Sequence, residues 1–160
     1  MSRYAEKTSV SAHRSIEEID RILKRYGATQ FITGRDDEGH KAIISFRISN
    51  IAYKLEIPIP DKSEFAFSGT GYRKRKRTPL QIEQAWEQAY RQRWRAMALV
   101  IKAKLEATTA GISSIEQEFM PNIMLPGNIT VKDYLIPQLN QSLESGKLPL
   151  ALPYFEKENK

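Results

Sequence analysis

Apolar residues recur at helical spacing near the start of this chain, at alternate positions in its second quarter, and at helical spacing again from residue 78 onwards. The first helical pattern follows a capping box, Ser15-Ile-Glu-Glu18, and stops at Gly27, so a short helix is predicted between them. The alternating pattern from Thr29 to Pro60 predicts three strands joined by polar turns, near residues 30–34, 42–48 and 51–57. Short turns favour an antiparallel meander.

A long amphipathic helix is predicted from Thr78 to Ala110. Thr78 and Gln81 match a capping box, Pro79 suits the first helical position, and Gly111 marks the end. On a helical wheel, one side is apolar and the opposite side is polar and cationic. The apolar side holds Ile82, Trp86, Ala89, Tyr90, Met97, Val100 and Ile101, and the opposite side holds Gln84, Gln88, Arg91, Arg95 and Lys102.

These elements predict an α+β fold: a three-stranded antiparallel sheet packed by an N-terminal helix and the long central helix, with a small C-terminal helix and hairpin layer. That layer comprises a short helix within 112–120, a hairpin over 123–131 and a helix over 133–144. Residues 1–14 are expected to form a flexible arm, 15–146 a single domain with a long basic loop at 61–78, and 147–160 an extended tail. The predicted core contains Ile19, Leu23, Ile44, Phe46, Tyr53, Leu55, Trp86, Met97 and Ile101.

Composition narrows the function classes. The chain has 160 residues and no cysteine, which excludes a thiol nucleophile and a cysteine zinc site. Its polar N-terminus lacks a signal-peptide pattern, and no apolar run is long enough to cross a bilayer, so a soluble cytoplasmic protein with no membrane partner is expected.

Positive charge is concentrated in one segment. The net charge is +6, and residues 73–104 contain ten Lys or Arg against two acids, so the rest of the chain is slightly acidic. Such segregation favours a polyanionic partner. The predicted nucleic-acid ligands are the basic run and the cationic side of the central helix, with Tyr72 stacking on a base: Arg73, Lys74, Arg75, Lys76, Arg77, Arg91, Arg95 and Lys102. A solvated loop is the alternative reading of the run.

Arg93 and Lys104 form a second candidate site, because the wheel places them inside the apolar side near Trp86. Either can be a ligand for a phosphate, or it can lay its stem on a tryptophan and reach the solvent or a carboxylate such as Glu56 or Glu118. The outward sheet face, with Lys41, Ser45, Arg47, Lys54 and Glu56, is also half-basic and suited to phosphates.

Enzymatic chemistry finds little support. Asp36-Asp37-Glu38-Gly39-His40 groups three carboxylates with an imidazole, but its spacing is that of a hairpin turn, so no metal site is predicted. No phosphate loop, nucleophile elbow or zinc pattern occurs, and no cofactor is implied. The order of elements is weakly nuclease-like, yet the catalytic carboxylate pattern is missing, since Glu56 is followed by Ile57 and Pro58.

The run from Trp86 to Glu106, with Tyr26-Gly27-Ala28 before it and Gly111-Ile112, Phe119 and Ile123-Met-Leu-Pro126 after it, resembles a family of small uncharacterised phage and prophage proteins. This resemblance spans nearly the whole chain and implies that the protein comes from a mobile element. Its expected location is the cytoplasm of the bacterial host. It brings no activity. The helix, meander, helix order is also similar to a double-stranded RNA-binding domain, although that family's Lys-Lys-x-x-Lys helix start is absent.

The sequence therefore predicts a non-enzymatic phage accessory protein that binds nucleic acid through a basic loop and a cationic helix face. The type of nucleic acid and the oligomeric state stay open. Two alternatives remain: an effector that docks on the acidic surface of a host protein, or capture of a small anionic nucleotide by Arg93 and Lys104.

Overall fold

The structure is a computed structural model that describes residue 5 and residues 8–69 and 74–147. It has the predicted α+β architecture: a three-stranded antiparallel sheet, an N-terminal helix, a long central helix and a small C-terminal layer. The main elements are α1 (Ala12–Arg25), β1 (Gln30–Asp36), β2 (Lys41–Ile48), β3 (Ile51–Pro58), β4 (Phe67–Ser68), β5 (Arg75–Lys76), α2 (Pro79–Thr109), α3 (Ile115–Phe119), β6 (Met124–Leu125), β7 (Ile129–Thr130) and α4 (Val131–Ser145).

Helix α1 begins earlier than predicted. Ser11 is the N-cap, and its side chain accepts a hydrogen bond from Arg14 N at 3.2 Å. The predicted cap, Ser15, is fully buried inside the helix, where its hydroxyl donates to Ser11 O at 3.3 Å. A serine can satisfy its hydroxyl in this way within a helix, which its usual role as a cap conceals. The capping box at Ser15 was wrong, and residues 12–14 belong to α1 rather than to an arm.

The sheet has the order β1-β2-β3 with both pairs antiparallel, so the predicted meander is confirmed. Cross-strand partners such as Phe46 and Tyr53 lie on the face that receives the helices, and their rings stack at 5.1 Å between centroids. Phe119 of α3 packs edge-on against both rings. This aromatic group joins the C-terminal layer to the sheet.

The segment 61–78 contains more regular structure than a long loop. Asp61 caps a short 3₁₀ helix over Lys62–Phe65, and Glu64 completes the capping box. Strands β4 and β5 then pair antiparallel as a hairpin. Short polar segments of this kind carry no hydrophobic periodicity, so their pairing is invisible in the sequence pattern.

The predicted start and end of α2 are confirmed. Thr78 and Gln81 form the capping box, and Gly111 adopts a left-handed conformation after the last turn. Its buried residues, however, are Trp94, Ala98, Ile101 and Leu105. The core-facing side is therefore turned by about a quarter of a revolution from the predicted one. Val100 is exposed, and Trp86 and Met97 are only half-buried at the margin of the core. Apolar residues occur on most sides of α2, so their spacing in the sequence does not determine which side faces the core.

The C-terminal layer follows the predicted order. Ser114 and Gln117 form a capping box for α3, β6 and β7 form the small hairpin, and Gly146 ends α4 in a left-handed conformation. Most of the predicted tail, residues 148–160, lies outside the described part of the chain.

Trp94→Ala should lower the free energy of unfolding by about 3–5 kcal/mol, because it empties a site with 1% exposure in the core. Trp86→Ala should cost less, since Trp86 is half-buried and contributes a hydrogen bond to Pro60 O and a stack on Tyr90. Urea unfolding followed by far-ultraviolet dichroism compares the two variants. Equal losses would show that α2 is rotated towards the side predicted from the sequence.

Candidate nucleic-acid interface

The basic run contributes three exposed cations to the described surface. Lys74, Arg75 and Lys76 are exposed on and beside β5. Arg77 is half-buried, and its guanidinium donates to Phe65 O and Phe67 O, each at 3.1 Å. Arg77 therefore ties the hairpin to the 3₁₀ segment. The predicted ligands Tyr72 and Arg73 lie outside the described residues.

The predicted cationic side of α2 lies against α1 rather than open to solvent. Arg95 is half-buried and forms an ion pair with Glu18 of α1. Arg91 is also half-buried, and one of its guanidinium nitrogens donates to Gln88 Oε1 at 2.7 Å. Only Lys102 of this set is exposed. The quarter-turn difference in the orientation of α2 is the cause, because it places Arg95 at the seam between the helices.

At that seam the structure forms a groove of about 430 Å³, here named the basic groove. Its four exposed cations are Arg14, Arg21 and Arg25 of α1 and Lys102 of α2. Within the described chain none of these four forms an ion pair with a carboxylate. Two acids also line the groove: Glu18 forms an ion pair with Arg95, and Glu17 Oε1 lies 3.2 Å from His13 Nε2. Four unpartnered cations along one groove attract an extended anion.

Sequence reasoning missed the three arginines of the basic groove. On a helical wheel, positions 14, 21 and 25 fall within about 40° of each other, which is the signal that marks them. It was missed because residues 1–14, which include Arg14, were predicted to form an arm outside the helix. Along the helix axis Arg14 and Arg25 are about 16 Å apart, the rise of about five base pairs along one strand.

The fold does not bring Arg93 and Lys104, the predicted anion site, together. Lys104 Nζ donates to Glu118 O at 2.6 Å, lies 3.2 Å from Glu118 Oε2, and sits over the ring of Phe119. This contact with Glu118 is the alternative to anion binding that the sequence left open for Lys104. Arg93 is exposed and lines a different groove, of about 470 Å³, beside Glu64 and Phe65. The two cations are eleven residues apart on one helix, about 16 Å along its axis.

The outward face of the sheet is less available to phosphates than predicted. Glu56 lies 3.1 Å from Lys41 Nζ and 3.5 Å from the ammonium groups of Lys54 and Lys132. Arg47 donates to Asn50 O and to Gln30. Burial raises the pKa of Glu56, but the hydrogen bond from Lys41 and the three ammonium charges outweigh it, so the pKa falls below 4.5. This cluster anchors α4, which carries Lys132, to β3.

The acidic segment 36–40 is a hairpin turn, as predicted. Asp36 Oδ1 accepts a hydrogen bond from Gly39 N at 2.8 Å, and His40 adopts a positive φ of 47°. His40 Nδ1 lies 3.6 Å from Asp61 Oδ2, next to a cleft of about 170 Å³ that includes Trp86. Within the described ranges no group of three or more His, Asp or Glu residues is arranged to hold a metal ion.

Comparison of the chain with protein-family models, curated proteins and solved structures finds no match. The resemblances to phage proteins and to double-stranded RNA-binding domains therefore stay predictions. No helix in the described part of the chain is both long and apolar enough to span a membrane.

Glu56→Gln should destabilise the fold at neutral pH, because it leaves three ammonium groups without their shared carboxylate. A carboxylate whose folded-state pKa is lowered stabilises above its unperturbed value of 4.5, and that stabilisation is lost as the pH falls through the folded pKa. The difference between parent and variant should therefore shrink on acidification. Urea unfolding at about pH 7 and about pH 3 measures it, with Glu38→Gln in the exposed turn as control. A pH-independent difference would contradict the charge explanation.

Proposed function

We propose that this chain is a non-enzymatic nucleic-acid-binding protein of a phage or other mobile element, and that the basic groove is its main contact with phosphates. The observation that supports it best is the set of four exposed cations, Arg14, Arg21, Arg25 and Lys102, without carboxylate partners in the described chain. Arginines present several donors to phosphate oxygens, and neutralising phosphates releases condensed counterions.

The groove suits a sugar-phosphate backbone better than unstacked bases. Its lining is made of charged side chains and Ile22, with no aromatic ring on which a base could stack. Contacts to phosphates alone carry no base identity, so binding should show little sequence preference. A duplex is the favoured ligand, because it offers a regular double row of phosphates along the groove.

The three exposed cations of the basic run, near the start of α2, are a second candidate contact with phosphates. Thr78, which follows the run, is 24 residues from Lys102, or about 36 Å along α2. A duplex must therefore be about ten or eleven base pairs long to reach both sets of cations. Arg77 is held in place by the two bonds from its Nη1 to the carbonyls of Phe65 and Phe67, so it is less free than these three to move towards a phosphate.

Replacing Arg14, Arg21 and Arg25 by Gln should weaken duplex binding and flatten the slope of log affinity against log salt by about 2.7, because each phosphate contact contributes about 0.9. Fluorescence anisotropy with nuclease-treated protein, on single- and double-stranded DNA and RNA, measures both quantities. The matched control replaces three other exposed cations, Lys24, Arg93 and Lys147, by Gln, so that the change in net charge is the same.

A second triple variant, Lys74→Gln with Arg75→Gln and Lys76→Gln, separates the groove from the basic run. If only this variant loses binding, the basic run is the site and the assignment to the groove fails. Equal weakening by all three triple variants would indicate attraction by net charge alone. Absence of binding by the parent protein at low salt on every nucleic acid would end the proposal.

A further inference from the structure

The outer edge of β1 is unpaired in the described structure. β1 stands at one side of the sheet, while the opposite edge, on β3, meets Ile123 through a bridge to Tyr53. Residues Ile32, Thr33, Gly34 and Arg35 are all exposed, and Ile32 reaches 66%. An exposed strand of seven residues without Pro or Lys is a template for another strand.

The hydrogen-bond alternation identifies the free backbone groups. Ile59 N donates to His40 O at 2.7 Å, so these two opposite residues form a hydrogen-bonded pair. Such pairs recur at every second position of an antiparallel ladder, so Ala42, Ile44 and the later even-numbered residues of β2 bond to β3. The odd residues of β2, from Lys41 onwards, therefore bond to β1, where their partners are Asp36, Gly34, Ile32 and Gln30. Phe31, Thr33 and Arg35 consequently direct their N–H and C=O groups away from the sheet.

We propose that this edge binds β1 of a second copy of the chain, antiparallel, about a two-fold axis at Thr33. The arrangement satisfies the three free donors and three free acceptors of each copy, giving six intermolecular hydrogen bonds. Directly opposite residues share a sheet face, so each copy keeps its helices on the same side. Moving the axis to Ile32 or Gly34 shortens the pairing to five residues and leaves some of these groups unpaired.

The side chains in this register complement one another. Arg35, whose guanidinium is paired with Asp37 of its own chain, lies opposite Phe31 of the second copy, where its stem can pack on the ring. Thr33 lies opposite Thr33, which is a favourable cross-strand pair. Gln30, which is uncharged, lies opposite Asp36. Exposed Ile32 lies opposite Gly34, which has no atom within 4 Å of the position a Cβ would take. No two like charges face each other, so the strand is self-complementary, as a two-fold interface requires.

Pairing joins the two sheets into one of six strands. Seven-residue strands alone bury less surface than the roughly 1,200–2,000 Å² of a stable interface, so a weak, concentration-dependent dimer is expected. The basic groove lies between helices and is not used by this contact, so the dimer does not depend on the proposed function.

Sedimentation equilibrium over about a hundredfold range of protein concentration tests the dimer, in nuclease-treated protein. Thr33→Pro should weaken association at least about tenfold, because it removes an N–H that points outwards while the bonds to β2 remain. Thr33→Val keeps that N–H and should associate like the parent. A folded Thr33→Pro variant that dimerises as the parent does would overturn the proposal.

A cross-linking experiment decides the matter even if Thr33→Pro fails to fold. The chain has no cysteine, so Thr33→Cys introduces a single thiol on the two-fold axis. A short bismaleimide should link two such chains efficiently, whereas Ser63→Cys, exposed on the 3₁₀ segment, should give only the background of random collisions. Equal yields from the two variants, or a parent that stays monomeric at every concentration, would rule the dimer out.

Discussion

Burial of one side of α2 is the constraint on which the rest of the molecule depends. Trp94, Ala98, Ile101 and Leu105 are at most 1% exposed, and they belong to the same core as the apolar stripe of α1 and the inner face of the sheet. Once this side is chosen, Arg95 must face Glu18 and Lys104 must face α3. The hydrophobic contacts of α2 thus decide which of its charged residues form ion pairs within the fold and which remain exposed.

That sorting explains why the distribution of charge along the sequence does not show which cations are free on the surface. Arg95 and Lys104 lie in the most basic segment, yet each forms an ion pair with a carboxylate of the same chain. Helix α1 is nearly neutral as a whole, yet one side of it presents three arginines that form no ion pair with a carboxylate in the described part of the chain. The electrostatic character of a surface depends on which cations are already neutralised, and that depends on packing.

The elements that could be predicted from the sequence are those with strong local signals. The start of α2 at Thr78, the alternation along β2 and β3, and the glycine ends of α2 and α4 all rest on neighbouring residues, and all are present. The start of α1 and the rotation of α2 were missed because several local solutions compete there, and contacts with distant residues decide between them. The basic groove was missed for the same reason, since it exists only where two helices meet.

Helix α4 is attached to the domain differently from the other helices. It has no buried residue of its own, and Ile136, Leu139 and Leu143 are at least half exposed. It is attached through the half-buried side chains of Val131 and Tyr134, a hydrogen bond from Val131 N to Ile123 O at 2.9 Å, and the ion pair between Lys132 and Glu56. Its backbone amides can therefore exchange with deuterated solvent through a local opening that leaves the core intact, whereas amides around Trp94 exchange only when the whole domain unfolds.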